Sequence, residues 1–292
     1  MFLVLRWLAR RSLRFLHALG ALLGWIVWAA APSYRRRLAA NAAAAGIGGA
    51  ERRAAVAEAG RMVLEMPRLW LRPAGDPLAD AVQWEGAELV ERALDAGRGL
   101  VLLTPHMGSF ELCAQAYAER FGRRQPVTVL YRPARNAWLR RLEETARARP
   151  YLATAPATLG GVRQMLRALK HGQTVGLLPD QVPPVGMGVW APFFGRDAYT
   201  MTLAARLVRH SGAALCAIWG ERLPRGAGYH VHVLPMPVAL PDARELPGDE
   251  GEAQRLDATA INRSMEALIA RRPSQYLWGY HRYKTPRPPE VA

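Results

Sequence analysis

Gly99-Leu100-Val101-Leu102-Leu103 is an unbroken apolar run, short enough to be a buried strand. It opens onto Thr104-Pro105-His106-Met107-Gly108-Ser109, after which Phe110, Leu112, Cys113, Ala116, Tyr117 and Phe121 recur at helical spacing. A helix is therefore expected to begin near Ser109, a good N-cap type. A strand feeding a helix through a short turn is an α/β signature, and the chain repeats it. Expected strands are 99–104, 127–131, 174–179, 214–221 and 229–236; expected helices are 110–121, 136–148, 159–171, 200–211 and 253–271. This alternation predicts an α/β fold, a mixed, largely parallel sheet flanked by helices. Ahead of that body, 77–292, residues 32–76 read as a helical region. It holds two helices within 34–72, the second from Glu51 to Leu71, and is closed by the loop 73–77.

On this reading His106 sits on the turn leaving a strand and Glu111 in the first turn of the next helix. On one helix, residues five apart point roughly 140° away from each other, so a shared helical face is ruled out. With the histidine on the turn, the chain can fold back and bring ring and carboxylate together. The helix N-terminus favours an ionised Glu111. A carboxylate on one ring nitrogen would fix the tautomer and leave the other nitrogen to take a proton from a hydroxyl. The bland alternative is a loop histidine and a helix-start acid.

Residues 1–31 form a candidate membrane anchor. Arg6, Arg10 and Arg14 are spaced by four, which places them on one side of a helix whose other faces carry Phe2, Leu3, Leu5, Leu8, Leu13 and Leu16. The uncharged run from Phe15 to Ala31 follows, at the short limit for a span of roughly 17–25 residues. Ala29-Ala30-Ala31 also mimics a signal cleavage site. Arg35-Arg36-Arg37 follows directly, so basic residues flank both sides and charge does not choose an orientation. Spanning and interfacial modes both remain open.

The formal net charge of +15 points to a polyanionic partner: nucleic acid, an anionic membrane surface or an acidic protein. No nucleic-acid-binding module is recognisable. An apolar content of 50% excludes a disordered chain. Cys113 and Cys216, far apart, provide neither a disulfide framework nor a cysteine zinc site. His230 and His232 alternate in a strand-like run and share a sheet face, but with no evident third ligand they read as surface histidines. No metal is expected.

Active sites of open α/β sheets gather at the carboxyl ends of the strands. Three polar clusters fall there: His106, Tyr131-Arg132-Pro133, and Pro179-Asp180-Gln181.

With those residues in place the chain resembles the lipid A biosynthesis acyltransferases (lauroyl and myristoyl transferases) of the wider glycerolipid acyltransferase superfamily. His106 and Glu111 meet the superfamily's H-x4-D/E pattern. Tyr131-Arg132-Pro133 with Asn136, then Arg147, Pro179-Asp180-Gln181, Ala191-Pro192-Phe193-Phe194-Gly195, and Pro273 to Trp278 with His281 to Thr285 are similar in order. The resemblance implies acyl transfer from an acyl thioester, of acyl carrier protein or coenzyme A, to a hydroxyl of a lipid A precursor at the cytoplasmic face of the inner membrane. It implies His106 as general base, Glu111 as its orienting partner, and Arg132, Arg147 and Asp180 as substrate-binding residues. No further cofactor is implied. An acidic carrier protein, an anionic lipid substrate and the inner-membrane leaflet would be the partners.

The loop from Val182 to Phe194 suits either a wall of an acyl pocket or a buried packing loop. Between Arg147 and Leu166 the chain departs from the family's more basic pattern, in Pro150-Tyr151-Leu152-Ala153-Thr154-Ala155-Pro156-Ala157. Another acceptor, such as a lysophospholipid or an amino-acid-containing lipid, and a non-catalytic basic membrane-binding protein stay open as alternatives, as does a hydrolase using the same pair on water.

Overall fold

The computed structural model describes residues 2–73, 76–78, 81–132, 136, 140 and 149–288. Four helices come first: α1 (Phe2–Ala9), α2 (Leu13–Ala30), α3 (Pro32–Ala44) and α4 (Gly49–Trp70). Then follow β1 (Val82–Glu85), α5 (Ala87–Asp95), β2 (Leu100–Leu103), α6 (Phe110–Phe121), β3 (Val127–Tyr131) and β4 (Leu152–Pro156). The remainder is α7 (Leu159–Lys170), β5 (Thr174–Leu177), the strands β6 (Gly188–Phe193) and β7 (Arg196–Met201), α8 (Leu203–Ser211), β8 (Ala214–Arg222), β9 (Tyr229–Pro235) and α9 (Glu250–Arg271).

Seven strands form one sheet in the order β1-β9-β8-β2-β5-β3-β4, parallel except for the β8–β9 pair; β6 and β7 form a separate antiparallel hairpin. β2 lies at the centre and all four of its residues are buried. Its side chains alternate between two cores. Leu100 and Leu102 pack with Val90 of α5 and Leu112 and Tyr117 of α6. Val101 and Leu103 pack with Val56 of α4, Met165 of α7, Leu207 of α8 and Ile261 of α9. Covering on both faces is what a continuous apolar strand requires, and it accounts for the parallel sheet foreseen from sequence.

The bounds of β3 and α6 match the expectation, and most other expected elements fall within three residues of theirs. The expected helix 136–148 lies outside the described residues, apart from Asn136 and Arg140. Four features were not foreseen: β1, α5, β4 and the β6–β7 hairpin. β4 runs through the segment read only as a departure from the family, and β6 begins inside the expected loop. The N-terminus also differs. α1 stops at Ala9, and α2 restarts at Leu13 behind Ser12, whose hydroxyl accepts the N–H of Phe15. Arg6, Arg10 and Arg14 therefore do not ride one continuous helix.

α2 meets α4 backbone to backbone. A Cβ on Gly60 would lie 1.9 Å from the Gly20 carbonyl oxygen, and one on Gly24 2.2 Å from that of Val56. Only glycine permits this approach. Just beyond it, the buried His17 ring hydrogen-bonds to Glu65 at 3.1 Å. Glu65 accepts two hydrogen bonds from the buried Arg222 guanidinium at the end of β8, 2.9 and 3.0 Å. Burial opposes the charge on Glu65, but Arg222 and His17 outweigh it and hold the carboxyl below its usual value.

Candidate active site

The chain leaves β2 through Thr104-Pro105 and places His106 at the carboxyl end of the central strand. Gly108 has φ +55, and a Cβ there would lie 2.0 Å from the Gly220 carbonyl oxygen, so the turn is closed by a residue only glycine can supply. The C-terminal segment fixes the turn: the N–H of Gly108 donates to the Gln275 carbonyl (2.9 Å), and that of Leu277 to the His106 carbonyl (3.1 Å). From the other side Arg222 donates to the Gly108 carbonyl at 2.8 Å, and the N–H of Ser109 donates to Gly220. Ser109 precedes α6 as expected but does not cap it; its hydroxyl is buried without a hydrogen-bond partner.

His106 Nδ1 lies 2.6 Å from Oδ1 of Asp180, and the His106 backbone N–H donates to Oδ2 at 2.9 Å. Asp180 is 2% exposed. Burial alone would raise its carboxyl; the charge and hydrogen bonds of His106, with Arg282 nearby, more than offset this and hold it below the ordinary value. An ionised Asp180 accepts the Nδ1 proton, so the lone pair is on Nε2. Nε2 lies 2.9 Å from the side-chain nitrogen of Gln181, a donor that suits it.

The ring has a carboxylate partner in Asp180. Asp180, foreseen as a substrate-binding residue, stands behind the imidazole, and it and Gln181 hydrogen-bond to the ring. Glu111 lies in the first turn of α6, accepts the Trp70 indole N–H at 3.3 Å and lines the same cleft as the histidine. Asp180 and His106 meet because β5 is the hydrogen-bonded neighbour of β2, which brings residues 74 apart in sequence to one sheet edge.

His106 and Gln181 open onto a cleft of about 880 Å³. Its walls are largely apolar, with Leu130 of β3, Leu166 of α7 and Leu203 of α8, and Met62 and Met66 come from α4. Arg132 is exposed on its lining. Arg147 lies outside the described residues. The loop expected over Val182–Phe194 divides. Val182, Pro183, Pro184, Gly186 and Met187 line the cleft, whereas Phe193 is buried in the core as the end of β6. The loop is thus cleft lining in its first half and core packing at its end. The contribution of α4, and the clamp by residues 275–277, carried no signal in the pattern of apolar residues.

The sequence model of a family described as bacterial lipid A biosynthesis acyltransferase matches residues 3–285. The chain is 31% identical over 201 residues to the lipid A biosynthesis lauroyltransferase of Escherichia coli K12, covering 68% of this chain and 61% of that protein. It is 30% identical over 204 residues to the palmitoleoyltransferase of the same organism (69% and 61%), and 24% identical over 210 residues to its myristoyltransferase (72% and 61%). The matched region thus spans about three-fifths of the length of these relatives.

Proposed function

The chain belongs to the bacterial lipid A biosynthesis acyltransferase family, and from that premise we propose that it moves a fatty acyl chain from an acyl thioester to a hydroxyl of a lipid A precursor, with His106 as general base. The observation that carries this reading is one ring nitrogen bonded to a buried carboxylate while the other faces a large, mostly apolar cleft. The acceptor hydroxyl replaces the Gln181 amide at Nε2 and gives its proton to that nitrogen. Its oxygen attacks the thioester carbonyl, the carbon–sulfur bond breaks, and the thiolate takes the proton back from the imidazolium. Asp180 holds the tautomer and balances the transient positive charge on the ring, the part a carboxylate plays behind a catalytic histidine elsewhere. No enzyme nucleophile enters the scheme.

Arg132 at the cleft, and Arg147 by resemblance, hold an anionic group of donor or acceptor. Glu111 faces the polar end of the bound acceptor. The donor is acyl carrier protein or coenzyme A, with the strongly basic surface favouring the acidic carrier protein. Location at the cytoplasmic leaflet of the inner membrane follows the same premise. α2 is long and apolar enough to cross a bilayer, yet an interfacial position is better supported. Its Gly20 and Gly24 face is packed on α4, which carries Arg52, Arg53, Glu58 and Arg61 and would have to enter the bilayer with it. The outward residues Leu22 and Ile26, with Leu3, Val4 and Trp7 of α1, supply the apolar contact.

The test is acyl transfer from a labelled acyl thioester to lipid A precursor in detergent. His106→Ala is expected to abolish labelled product while folding and membrane recovery persist. Near-normal turnover by that variant, or release of free fatty acid by the wild type without acylated lipid, would overturn the reading.

A further inference from the structure

A second histidine cluster stands at the opposite flank of the sheet, unused by the proposed reaction. β1 is the edge strand, and its register on β9 sets Glu85 beside His232 and Gln83 beside His230. β8, on the other side of β9, sets Trp219 beside His232 and Glu221 beside His230. Alternation along the strands turns Glu85, His230, His232 and Glu221 to one face. Oε2 of Glu85 lies 2.8 Å from His232 Nδ1 and 3.8 Å from His230 Nε2, and the donor atoms of Glu85, His230 and His232 all fall within 4.8 Å of one another.

We propose that Glu85, His230 and His232 form a site for a divalent transition-metal cation of the zinc type. The donor set of two imidazoles and one carboxylate suits zinc. Donors held at roughly 2.0–2.1 Å from a tetrahedral zinc are about 3.3–3.4 Å apart, and the separations of 2.8 and 3.8 Å bracket that value. A shell behind the ligands is already built. Glu221 accepts from His232 Nε2 at 3.1 Å and is itself bonded by Arg272 at 2.5 Å. With a metal on Nδ1, the Nε2 proton would go to Glu221, which lies in place to accept it. The His232 ring is further held by Trp219, stacked at 4.6 Å and 10°.

The present contacts also leave room for a cation, in place of a second ring proton. A neutral imidazole has one N–H, so a carboxylate on each of its nitrogens sets one lone pair against an anionic oxygen. A metal removes that conflict and ties β1, a four-residue edge strand, to β9. The side chains of Glu85 and His230 are 56% and 27% exposed, which leaves the open coordination position toward solvent. The third donor comes from a strand 147 residues before His232; His232 is buried rather than a surface histidine, and the proposal departs from the expectation of no metal.

Full-length protein in detergent, stripped with a chelator and dialysed, is titrated with zinc alone and with cobalt alone. The wild type is expected to take up a single zinc per chain, to melt at a higher temperature once loaded, and to give the visible absorption of four-coordinate nitrogen–oxygen cobalt. His230→Asn at a half-buried position and Glu85→Gln at an exposed one are expected to keep the native circular dichroism and lose uptake and the cobalt bands. His232 is left unsubstituted because of its burial. Equal zinc content in the wild type and both variants, or uptake by none, overturns the proposal, leaving a cluster closed by protons alone.

Discussion

His106 and His232 both carry a carboxylate on the ring, and they are held in opposite ways. His106 has Asp180 on Nδ1 and a displaceable amide, Gln181, on Nε2, and it faces a cleft. His232 has carboxylates on both nitrogens, Glu85 and Glu221, and faces a strand edge. The first arrangement leaves one nitrogen for an incoming hydroxyl. The second leaves none, and suits a residue that is held in place or that holds a cation. Position on the sheet decides which is which. His106 comes from a turn beyond a central strand, where neighbouring strand ends and helices enclose a cavity. His232 comes from within β9, one strand from the edge.

The largest effect expected is on the catalytic side: His106→Ala should lower acyl transfer by about 10⁴-fold, the upper range for a general base, with thioester binding little changed. Arg222 links the two regions, since it follows Glu221 in sequence and bonds Gly108 in space. Arg222→Met leaves Glu65 buried without its cation, and chemical denaturation should register a loss of about 3–5 kcal/mol. Unchanged stability would mean that the network is not what secures the turn. Asp180→Asn keeps the shape but not the charge, so kcat should fall on the order of 10²-fold with KM nearly constant. The matching change at the other histidine, Glu221→Gln, should weaken zinc uptake by roughly 10-fold or somewhat more; equal affinity would dissolve the parallel between the two backing carboxylates. The smallest effect is on acid stability. The Asp180 carboxyl titrates lower in the folded chain than its unfolded value of about 3.9, so its contribution is present above that value and is lost as pH falls through the lower one. Denaturation midpoints measured from neutral to acid pH should decline more steeply below about pH 4 for the wild type than for Asp180→Asn.

How much of this was legible in the sequence depended on whether the deciding contact was local. β2, its turn and α6 were legible because an apolar run, a glycine-bearing turn and a helical repeat follow one another without interruption. The position of His106 came with them. The Asp180 contact did not, since Glu111 was the expected partner of the ring and Asp180 was expected in substrate binding; the contact rests on β5 lying next to β2, a matter of strand order that periodicity does not encode. β1 and β4 are short, and β4 ends in a proline that reads as a breaker. Pro192 and the glycines of 186–195 likewise disguised the β6–β7 hairpin. The zinc-type cluster was half visible as His230 and His232. Its third member required knowing that β1 and β9 pair in parallel.

The glycine contact between α2 and α4 has a further consequence. Because those backbones touch, and because His17, Glu65 and Arg222 run from that seam to the loop bearing His106, the greasy outer surface of the first two helices is an outrigger rather than a cord. The angle between that surface and the mouth of the cavity is set once, during folding, so under the proposed function a lipid chain drawn from a bilayer at that surface would meet the imidazole in a fixed orientation.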